Sequence, residues 1–482
     1  MTLFIPALKI GAFVMLAWGS TMLLPILVSL HSLEESLVFL YSALSCYALG
    51  GLLFYFGRDP VAHLGPRALF MITAFSWLLL CFTGTLPFYI SQDSISFVDS
   101  LYESVAGVTT TGSSIFSDVE ALPRGLLLWR SLSQWIGGIG IILMAVAVLP
   151  SLKLGGMRLF RSEFSEWAQL DGTSIRRIST HIIVVYALIS VACLVAYRVF
   201  GMSWFDAVNH MMATVSTGGF STYNASFGHF NDSSLLLVSS VFMLLGACPF
   251  ILVVLSVDNR SLLLWRDRQV QLMLKIVVLS TALLTLWRFL QGEERSVLSL
   301  LESSAFNLIS VMTTTGFASE DYGSWGSFAV ILIGFLMFSG GCSGSTSGGV
   351  KLFRYQLLAI FMREHLQKAV HPGITWSRTY NGRPVQEDVL VSALAYLFLV
   401  MMSWFVSSCV LAAIGLDPVT AVTGSLGALM NVGPGLGEVI GPVGNYSSLP
   451  DLAKLVLSFD MLLGRLEFLA LLVIFTRTYW KW

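Results

Sequence analysis

Apolar runs long enough to cross a membrane recur along the whole chain, and this feature constrains the fold more than any other. Of the 482 residues, 55% are hydrophobic and only 11% are charged, whereas soluble globular proteins carry ~25% charged residues. A bilayer core of ~30 Å is crossed by a helix of roughly 20 apolar residues. The sequence therefore predicts an all-α integral membrane protein without a separate soluble domain. Its first apolar run is expected to be a retained span, because no cleavage site of a signal peptide follows it.

One unit repeats four times after two N-terminal helices, which are predicted at roughly residues 3–30 and 36–57. Each unit has a long apolar helix, a short semi-polar segment ending in glycine, and another apolar helix. Because a fixed period dictates architecture, we predict four pseudo-symmetric helix–pore-loop–helix repeats around a central pore. The predicted domains are the two N-terminal transmembrane helices at 1–60 and pore repeats 1 to 4 at 61–165, 166–262, 263–375 and 376–482.

The four short segments align on a central glycine. They read SLYESVAGVTTTG, DAVNHMMATVSTG, SAFNLISVMTTTG and AVTGSLGALMNVG, and they end at Gly112, Gly218, Gly316 and Gly433. Each segment is too short to span a bilayer, so it is predicted to enter as a half-helix and to return as extended chain lining an aqueous cavity. Ser100, Asp206 and Ser304 are the predicted N-caps in repeats 1 to 3. Basic loops between the repeats indicate a cytoplasmic side, and the half-helices enter from the opposite, acidic side.

The residues around the glycines predict a cation filter. Half-helices direct the negative ends of their dipoles at one axis, and rings of backbone carbonyls can replace the hydration shell of an ion. Four such segments at matched positions argue against the alternative of unrelated loops. Pro434 and the missing threonines make the fourth corner different from the others. The predicted filter residues are Thr110, Thr111, Gly112, Ser113, Ser216, Thr217, Gly218, Gly219, Thr314, Thr315, Gly316, Phe317, Asn431, Val432, Gly433 and Pro434.

Two further features lie on the predicted cytoplasmic side of the filter. The stretch SGGCSGSTSGGVK at 339–351 interrupts the second helix of repeat 3, and it is predicted to be a buried non-helical segment, with a kinked helix as the alternative. Arg465 lies inside the last apolar helix, where a buried charge indicates an ion pathway or a partner. The alternative for Arg465 is a local ion pair with Asp460 or Glu467. His210 is expected to be packed or hydrogen-bonded.

The motifs SVAGVTTTG (104–112), QWIGGIGI (134–141), FNLISVMTTTGF (306–317), FSGGCSGSTSGGVK (338–351) and GRLE (464–467) resemble the Trk/Ktr/HKT superfamily of potassium transporters. The likeness is closest to its TrkH-type pore-forming subunits and covers essentially the full length. The resemblance implies potassium uptake across the bacterial inner membrane, with potassium as the transported ion and no bound organic cofactor. It also implies a glycine-lined filter that prefers potassium, and a gate formed by Gly340, Gly341, Cys342, Ser343, Gly344, Ser345, Thr346, Ser347, Gly348, Gly349 and Arg465.

The partners are also implied by the resemblance. TrkH-type subunits form homodimers in the lipid membrane and bind a cytosolic regulatory ring of TrkA type, which binds NAD or ATP. The basic loops at 258–268 and 351–383 are the candidate docking surface for that ring, with a merely solvated basic surface as the alternative. The stretch before Lys351 does not match a nucleotide-binding loop, so nucleotides would act through the partner. No nucleic-acid partner is expected.

Two other functions compete with a channel-like pore. A carrier coupled to protons or sodium stays open, although such carriers typically have two repeats rather than four. An intramembrane serine protease would use Ser343 in GCSG and needs a base within reach, but His365 and His371 both lie in a basic loop. We therefore predict that the chain is not an enzyme. The six cysteines lack paired spacing and are expected to be packed thiols.

Overall fold

The computed structural model describes residues 4–59, 65–92, 94–147, 175–230, 232–258, 262–374 and 377–481. The predicted domain boundaries after residues 60, 165 and 375 lie outside these ranges, as do parts of the two candidate docking loops. Seven helices in the described part are long and apolar enough to cross a membrane, or eight if one bent pair counts as a single span. The chain is thus a multi-pass, all-α membrane protein.

The helices follow the predicted order. The N-terminal part comprises α1 (Phe4–Thr21), α2 (Leu23–Val28) and α3 (Leu33–Phe56). Repeat 1 comprises α4 (Pro66–Gly84), α5 (Leu86–Ser91), α6 (Phe97–Val108) and α7 (Arg124–Ala147). Repeat 2 comprises α8 (Ile175–Val199), α9 (Trp204–Val215), α10 (Ser233–Gly246) and α11 (Phe250–Asp258).

The second half of the chain continues the pattern. A short α12 (Leu263–Arg266) precedes repeat 3, which comprises α13 (Arg268–Leu290), α14 (Val297–Met312), α15 (Ser327–Ser339) and α16 (Leu352–Val370). A small hairpin of β1 (Thr379–Tyr380) and β2 (Arg383–Pro384) comes next. Repeat 4 comprises α17 (Glu387–Ile414), α18 (Pro418–Leu429), α19 (Asp451–Arg465), α20 (Leu469–Leu472) and α21 (Arg477–Trp480).

The two predicted N-terminal helices are confirmed, with a break at Met22 between α1 and α2. The α3 helix begins after Ser32, whose side chain accepts a hydrogen bond from the Glu35 N–H. Because α1 packs against both α3 and α4, these helices lie beside repeat 1. Five of the six cysteines are buried thiols, and Cys409 is exposed.

The four short helices α6, α9, α14 and α18 are half-helices, as predicted. They contain 12, 12, 16 and 12 residues, which at 1.5 Å per residue gives about 18 to 24 Å, less than the ~30 Å of a bilayer core. Eight residues each of α6, α9 and α18 and ten of α14 are buried, mainly those towards the C-terminal ends. This packing holds the C-terminal end of each short helix at the centre of the protein.

The predicted N-caps of the short helices are wrong. The residues that cap α6, α9, α14 and α18 are Ser96, Ser203, Ser296 and Asp417. In α6, for example, the Ser96 side chain accepts from the Asp99 N–H, and the Asp99 carboxylate accepts from the Ser96 N–H. Each helix therefore begins earlier than predicted. The residues expected as caps lie within the helices. Asp206 is in the first turn of α9, where acidic residues are favoured, whereas Ser100 is the fourth residue of α6 and Ser304 the eighth residue of α14.

Three of the second helices in the repeats are interrupted on the predicted cytoplasmic side. In repeat 2 the chain bends by 97° between α10 and α11. In repeat 3 the helix ends at Ser339 and resumes at Leu352. In repeat 4 the α19 helix ends at Arg465. These breaks lie next to the C-terminal ends of the short helices, and two of them supply the residues of the candidate gate.

Candidate functional site: a closed ring of four glycine segments

The chain after each short helix alternates between left-handed residues and residues without a positive φ. The first left-handed residue has φ between 51° and 57° and the second, two positions later, is a glycine with φ between 79° and 102°. A backbone that alternates in this way points successive N–H groups to one side of the chain, so the carbonyl groups point to the other side. The left-handed pairs are Thr110 and Gly112, Thr217 and Gly219, Thr314 and Gly316, and Asn431 and Gly433.

Hydrogen bonds in repeat 1 show where these N–H groups go. The Thr110 N–H donates to the Gly107 carbonyl at 3.0 Å, and those of Thr111 and Gly112 donate to Ala106 at 2.9 and 3.3 Å. Within the described part of the chain, the carbonyls of the three donor residues accept no hydrogen bond. Carbonyl oxygens of this kind are available to coordinate a dehydrated cation.

Each left-handed glycine lies against a carbonyl of the following repeat. A Cβ atom at any of these positions would lie well inside the 3.0 Å that real Cβ atoms keep. The contacts lead from repeat 1 to 2, from 2 to 3, from 3 to 4 and from 4 back to 1, so the segments form a closed ring. They pair Gly112 with the Gly218 carbonyl, Gly219 with Thr315, Gly316 with Val432 and Gly433 with Thr111.

The predicted alignment is wrong by one residue in repeat 2. Gly218 does not have a positive φ, whereas Gly219 does. The Gly218 N–H donates to Ala213, five residues earlier, which is the bond that Thr111 makes in repeat 1. Gly219 is therefore the counterpart of Gly112. The sequence STGG offered two adjacent glycines, and only the backbone conformation distinguishes them.

A cavity of about 120 Å³ lies on the outer face of the ring. It is lined by residues of all four segments: Gly112, Gly219, Gly316 and Pro434. Arg130 and Tyr446 also line it. The cavity thus places the four corners around one opening, as expected for the mouth of a pore.

A buried ion pair supports the first corner. Glu103 and Arg130 are 0% and 2% exposed, with 2.7 Å between Arg130 Nε and Glu103 Oε1. The carboxylate of Glu103 also accepts from the Ile115 N–H and the Ser114 hydroxyl, and Arg130 donates to the Ser221 carbonyl of repeat 2. The pair therefore holds the outgoing chains of repeats 1 and 2 together. Sequence reasoning missed this role, although Glu103 stands nine residues before its glycine.

The corrected alignment gives Glu103 counterparts in repeats 2 and 3. His210 also stands nine residues before its glycine, and its Nε2 lies 3.0 Å from the Ser221 hydroxyl. Asn307 occupies the same position, and its Oδ1 accepts from the Ser319 N–H at 3.1 Å. Each side chain thus secures the outgoing chain of its own repeat, so His210 is a hydrogen-bonded, buried histidine as expected.

The fourth corner is built differently. Gly424 stands where the other repeats place a polar side chain, and the Tyr446 hydroxyl instead donates to the Gly433 carbonyl at 2.8 Å. Asn431 adopts the left-handed conformation that threonine adopts elsewhere, and its Nδ2 donates to the Thr111 hydroxyl at 3.0 Å. Asparagine tolerates this conformation well. The predicted asymmetry of the fourth repeat is therefore present in its contacts.

The loop at 340–351 is not a kinked helix, since no helical residue lies between α15 and α16. It packs against the inner ends of three short helices. The Thr346 hydroxyl donates to the Val215 carbonyl at 3.2 Å, the Gly348 N–H donates to the Thr314 hydroxyl at 2.7 Å, and the Gly349 N–H donates to Met430 at 2.9 Å. The loop therefore lies directly beneath the ring.

Arg465 contacts this loop and not an acidic neighbour. Its side chain is 2% exposed, and Nη1 donates to the Thr346 carbonyl at 2.8 Å. Asp460 is bonded to two serine hydroxyls, and Glu467 pairs with Arg354. The Nε and Nη2 atoms of Arg465 are buried without a partner among the described residues. The local ion pair considered from the sequence is absent from these contacts.

Ser343 has no catalytic partner in the described part of the chain. Its N–H donates to the Gln269 side chain at 2.8 Å, and its hydroxyl makes no hydrogen bond to a histidine. His365 bonds instead to the Phe361 carbonyl at 3.0 Å. The arrangement needed by a serine protease is not formed by these residues.

Comparisons with known proteins agree with this architecture. Residues 36–481 match the model of the TrkH family, described as cation transport protein. The Trk system potassium uptake protein TrkI of Halomonas elongata is 40% identical over 99% of this chain and 97% of its own length. TrkH of Escherichia coli K12, another Trk system potassium uptake protein, is 32% identical over 98% of each chain. The crystal structure of the potassium transporter TrkH from Vibrio parahaemolyticus superposes with a TM-score of 0.91 at 30% identity, covering 99% of this chain and 100% of that one.

Proposed function

Because the chain belongs to the TrkH family of cation transport proteins, we propose that it takes up potassium through the closed ring of glycine segments. The observation that carries the proposal is the cycle of four glycine–carbonyl contacts. It brings backbone oxygens from all four repeats around one axis, which is the arrangement that dehydrates and binds potassium. The predicted repeats would each supply one quarter of this filter.

In this proposal the filter consists of the two left-handed residues of each repeat and the residue between them. In repeat 2 these are Thr217, Gly218 and Gly219, one position later than in the alignment by sequence. Transport is channel-like, because four like-oriented repeats surround a single axis and not a midplane site between two halves. The protein works in the bacterial inner membrane with its acidic side outward.

The loop at 340–349 acts as the gate, together with Arg465. The loop lies beneath the ring and is hydrogen-bonded to the short helices of repeats 2, 3 and 4. The guanidinium of Arg465 places a positive charge beside the loop, and like charges repel strongly where water is excluded. A cation leaving the filter would therefore need the loop and Arg465 to move aside.

Regulation in this proposal comes from a cytosolic partner of TrkA type that binds NAD or ATP, and the subunit works as a homodimer. The docking surface is the basic region around α16 and the hairpin. This region has its own small apolar cluster, which includes Phe353, Leu357 and Tyr380. The cluster packs α16 against the hairpin and the start of α17, so a force on this surface would be transmitted to the helix that follows the gate loop.

The filter is tested by potassium and rubidium uptake in a host that lacks its own potassium uptake systems. Gly316→Ser should abolish uptake or relax selectivity against sodium, because its Cβ would overlap the Val432 carbonyl at a left-handed position. Gly51→Ser is the matched control, because no atom of the described residues would lie within 4 Å of a Cβ at Gly51. Unchanged uptake and selectivity in Gly316→Ser, at equal membrane abundance, would contradict the proposed filter.

The gate and the channel-like mechanism are tested with purified protein in proteoliposomes. Arg465→Gln should increase cation flux, because it removes the charge beside the loop while keeping a polar side chain. A current that reverses at the potassium equilibrium potential and does not depend on pH or sodium would support a channel. A reversal potential that shifts with the proton or sodium gradient would instead support ion-coupled symport.

A further inference from the structure

The last helix of the chain breaks in an unusual way immediately after Arg465. Glu467 and Phe468 have φ of 59° and 49°, so two consecutive residues other than glycine are left-handed. This conformation is costly for residues with a Cβ and persists only where surrounding contacts enforce it. Phe468 is 1% exposed, and Gly464 lies so close to the Leu429 carbonyl that a Cβ there would overlap it. The break is thus packed against the inner end of α18.

The break is tied to the loop beneath the ring at two points. On its N-terminal side, Arg465 donates to the Thr346 carbonyl in the middle of the loop. On its C-terminal side, Glu467 forms an ion pair with Arg354. Arg354 lies in the first turn of α16, which begins where the loop ends, and its Nη1 donates to the Val350 carbonyl at 2.9 Å. The two ties therefore hold the middle and the end of one loop.

The second tie is mostly withdrawn from solvent. The side chains of Arg354 and Glu467 are 13% and 15% exposed. The Arg354 guanidinium also lies 3.6 Å from the centre of the Tyr396 ring on α17, and this ring packs against Phe468 with 5.5 Å between ring centres. Ion pairs and cation–π contacts are stronger when desolvated. Arg354 thus joins α16, α17 and the break of the last helix.

We propose that Arg354 and Glu467 are positioning residues that hold Arg465 in place beneath the filter by keeping the break in its left-handed conformation. The proposal rests on the loop acting as the gate. A movement of α16 away from the break of the last helix would separate the pair and let Glu467 and Phe468 relax. The Arg465 guanidinium would then lose its place beside Thr346. The pair therefore couples the position of α16 to the charge below the filter.

The test compares single and exchanged charges at the pair. Glu467→Gln and Arg354→Gln should each raise rubidium leak through the purified protein in proteoliposomes by about tenfold, which corresponds to ~1.4 kcal/mol. The double variant Glu467→Arg with Arg354→Glu should return the leak to within about threefold of the wild type, because the exchanged charges can pair again. A structural defect alone would not be rescued by exchange.

A matched control uses another ion pair on the last helix. Lys454 lies at the outer end of α19 and pairs with Asp99 at 2.5 Å, with 4% and 19% exposure. Lys454→Gln removes a similar pair without touching the loop, so it should leave the leak unchanged. A comparable rise in this variant would overturn the proposal, because any loss of an ion pair on this helix would then have the same effect.

A second measurement reports on the loop directly and does not depend on ion flux. Cys342 is 0% exposed within the loop, and Cys342→Ser supplies the background for labelling by a small thiol reagent. The reagent should label Cys342 faster in Glu467→Gln and in Arg354→Gln than in the wild type. Faster labelling with unchanged leak would support the positioning role of Arg354 and Glu467 and refute the loop as the gate. Unchanged labelling and unchanged leak in both Glu467→Gln and Arg354→Gln would overturn the positioning role itself.

Discussion

Because Gly219 and not Gly218 has the left-handed conformation in repeat 2, substitutions at these two adjacent glycines should have different effects on uptake. Gly219→Ala places a Cβ on a left-handed residue, which costs ~1–2 kcal/mol, and against the Thr315 carbonyl. Overpacking of this kind adds ~1–3 kcal/mol, so the working ring should be destabilised by about 2–5 kcal/mol. Gly218 does not have a positive φ. The Cβ that Gly218→Ala adds would instead lie against the side-chain amide of Gln134. That amide donates to the Gly218 carbonyl and accepts from the Phe220 N–H, so moving it costs two hydrogen bonds, a net ~1–3 kcal/mol.

These energies translate into a difference in uptake. Since 1.4 kcal/mol corresponds to tenfold, rubidium uptake should fall by about thirtyfold to several thousandfold in Gly219→Ala, and by about 5- to 150-fold in Gly218→Ala, so the loss should be larger in Gly219→Ala. Gly112→Ala serves as a reference, because Gly112 has the same conformation and the same kind of contact in repeat 1. Membrane abundance is measured for each variant. If Gly218→Ala lowers rubidium uptake more than Gly219→Ala does, Gly219 is not the counterpart of Gly112.

Three further predictions concern buried charges. Glu103→Gln leaves Arg130 buried without its counter-ion, which should cost ~3–5 kcal/mol of folding stability. The melting temperature in detergent should therefore fall, and an unchanged melting temperature would exclude a stabilising role for the pair. Hydrogen bonds from Arg378 hold the pKa of Glu364 at about 2, below its ordinary value of 4.5, so its contribution to stability is fully present above pH 4.5 and is lost as the pH falls through about 2. Hydrogen exchange in α16 should follow this loss in the wild type and not in Glu364→Gln. Asp460 is buried against two serine hydroxyls, and no cation among the described residues pairs with it. Asp460→Asn should therefore be more stable than Asp460→Ala, which strands both hydroxyls at ~1–3 kcal/mol each. Equal melting temperatures of the two variants would contradict this.

The architecture could be predicted from the sequence because it depends on composition and period. Apolar runs must be helical in a membrane, since no water is there to satisfy the backbone, and four matched glycines must have related surroundings. The non-helical loop was predictable for the same reason, because the run of glycines and serines at 339–349 cannot maintain a lipid-exposed helix. These conclusions follow from local properties of the chain.

Other features depend on contacts that no local pattern records. Glu103 and Arg130 lie on different helices, and nothing in the sequence indicates that they form a pair across the first corner. The choice between Gly218 and Gly219 depends on backbone angles that both glycines can adopt. Serine and aspartate occur both at the caps and inside the short helices, as Ser100, Asp206 and Ser304 do, so the beginnings of these helices were misplaced. Such features become visible only when all four repeats are folded together.

The closed cycle of contacts has a consequence for how such a pore can vary. In a pore assembled from four identical chains, every substitution enters the ring four times. Here all four corners are encoded once, so a change such as asparagine at position 431 alters a single corner while the other three keep threonine. The tyrosine that bonds to Gly433 likewise serves one corner alone. If the ring is the proposed filter, a substitution in this single chain changes ion binding at one corner at a time, which a symmetric assembly of four identical chains cannot do.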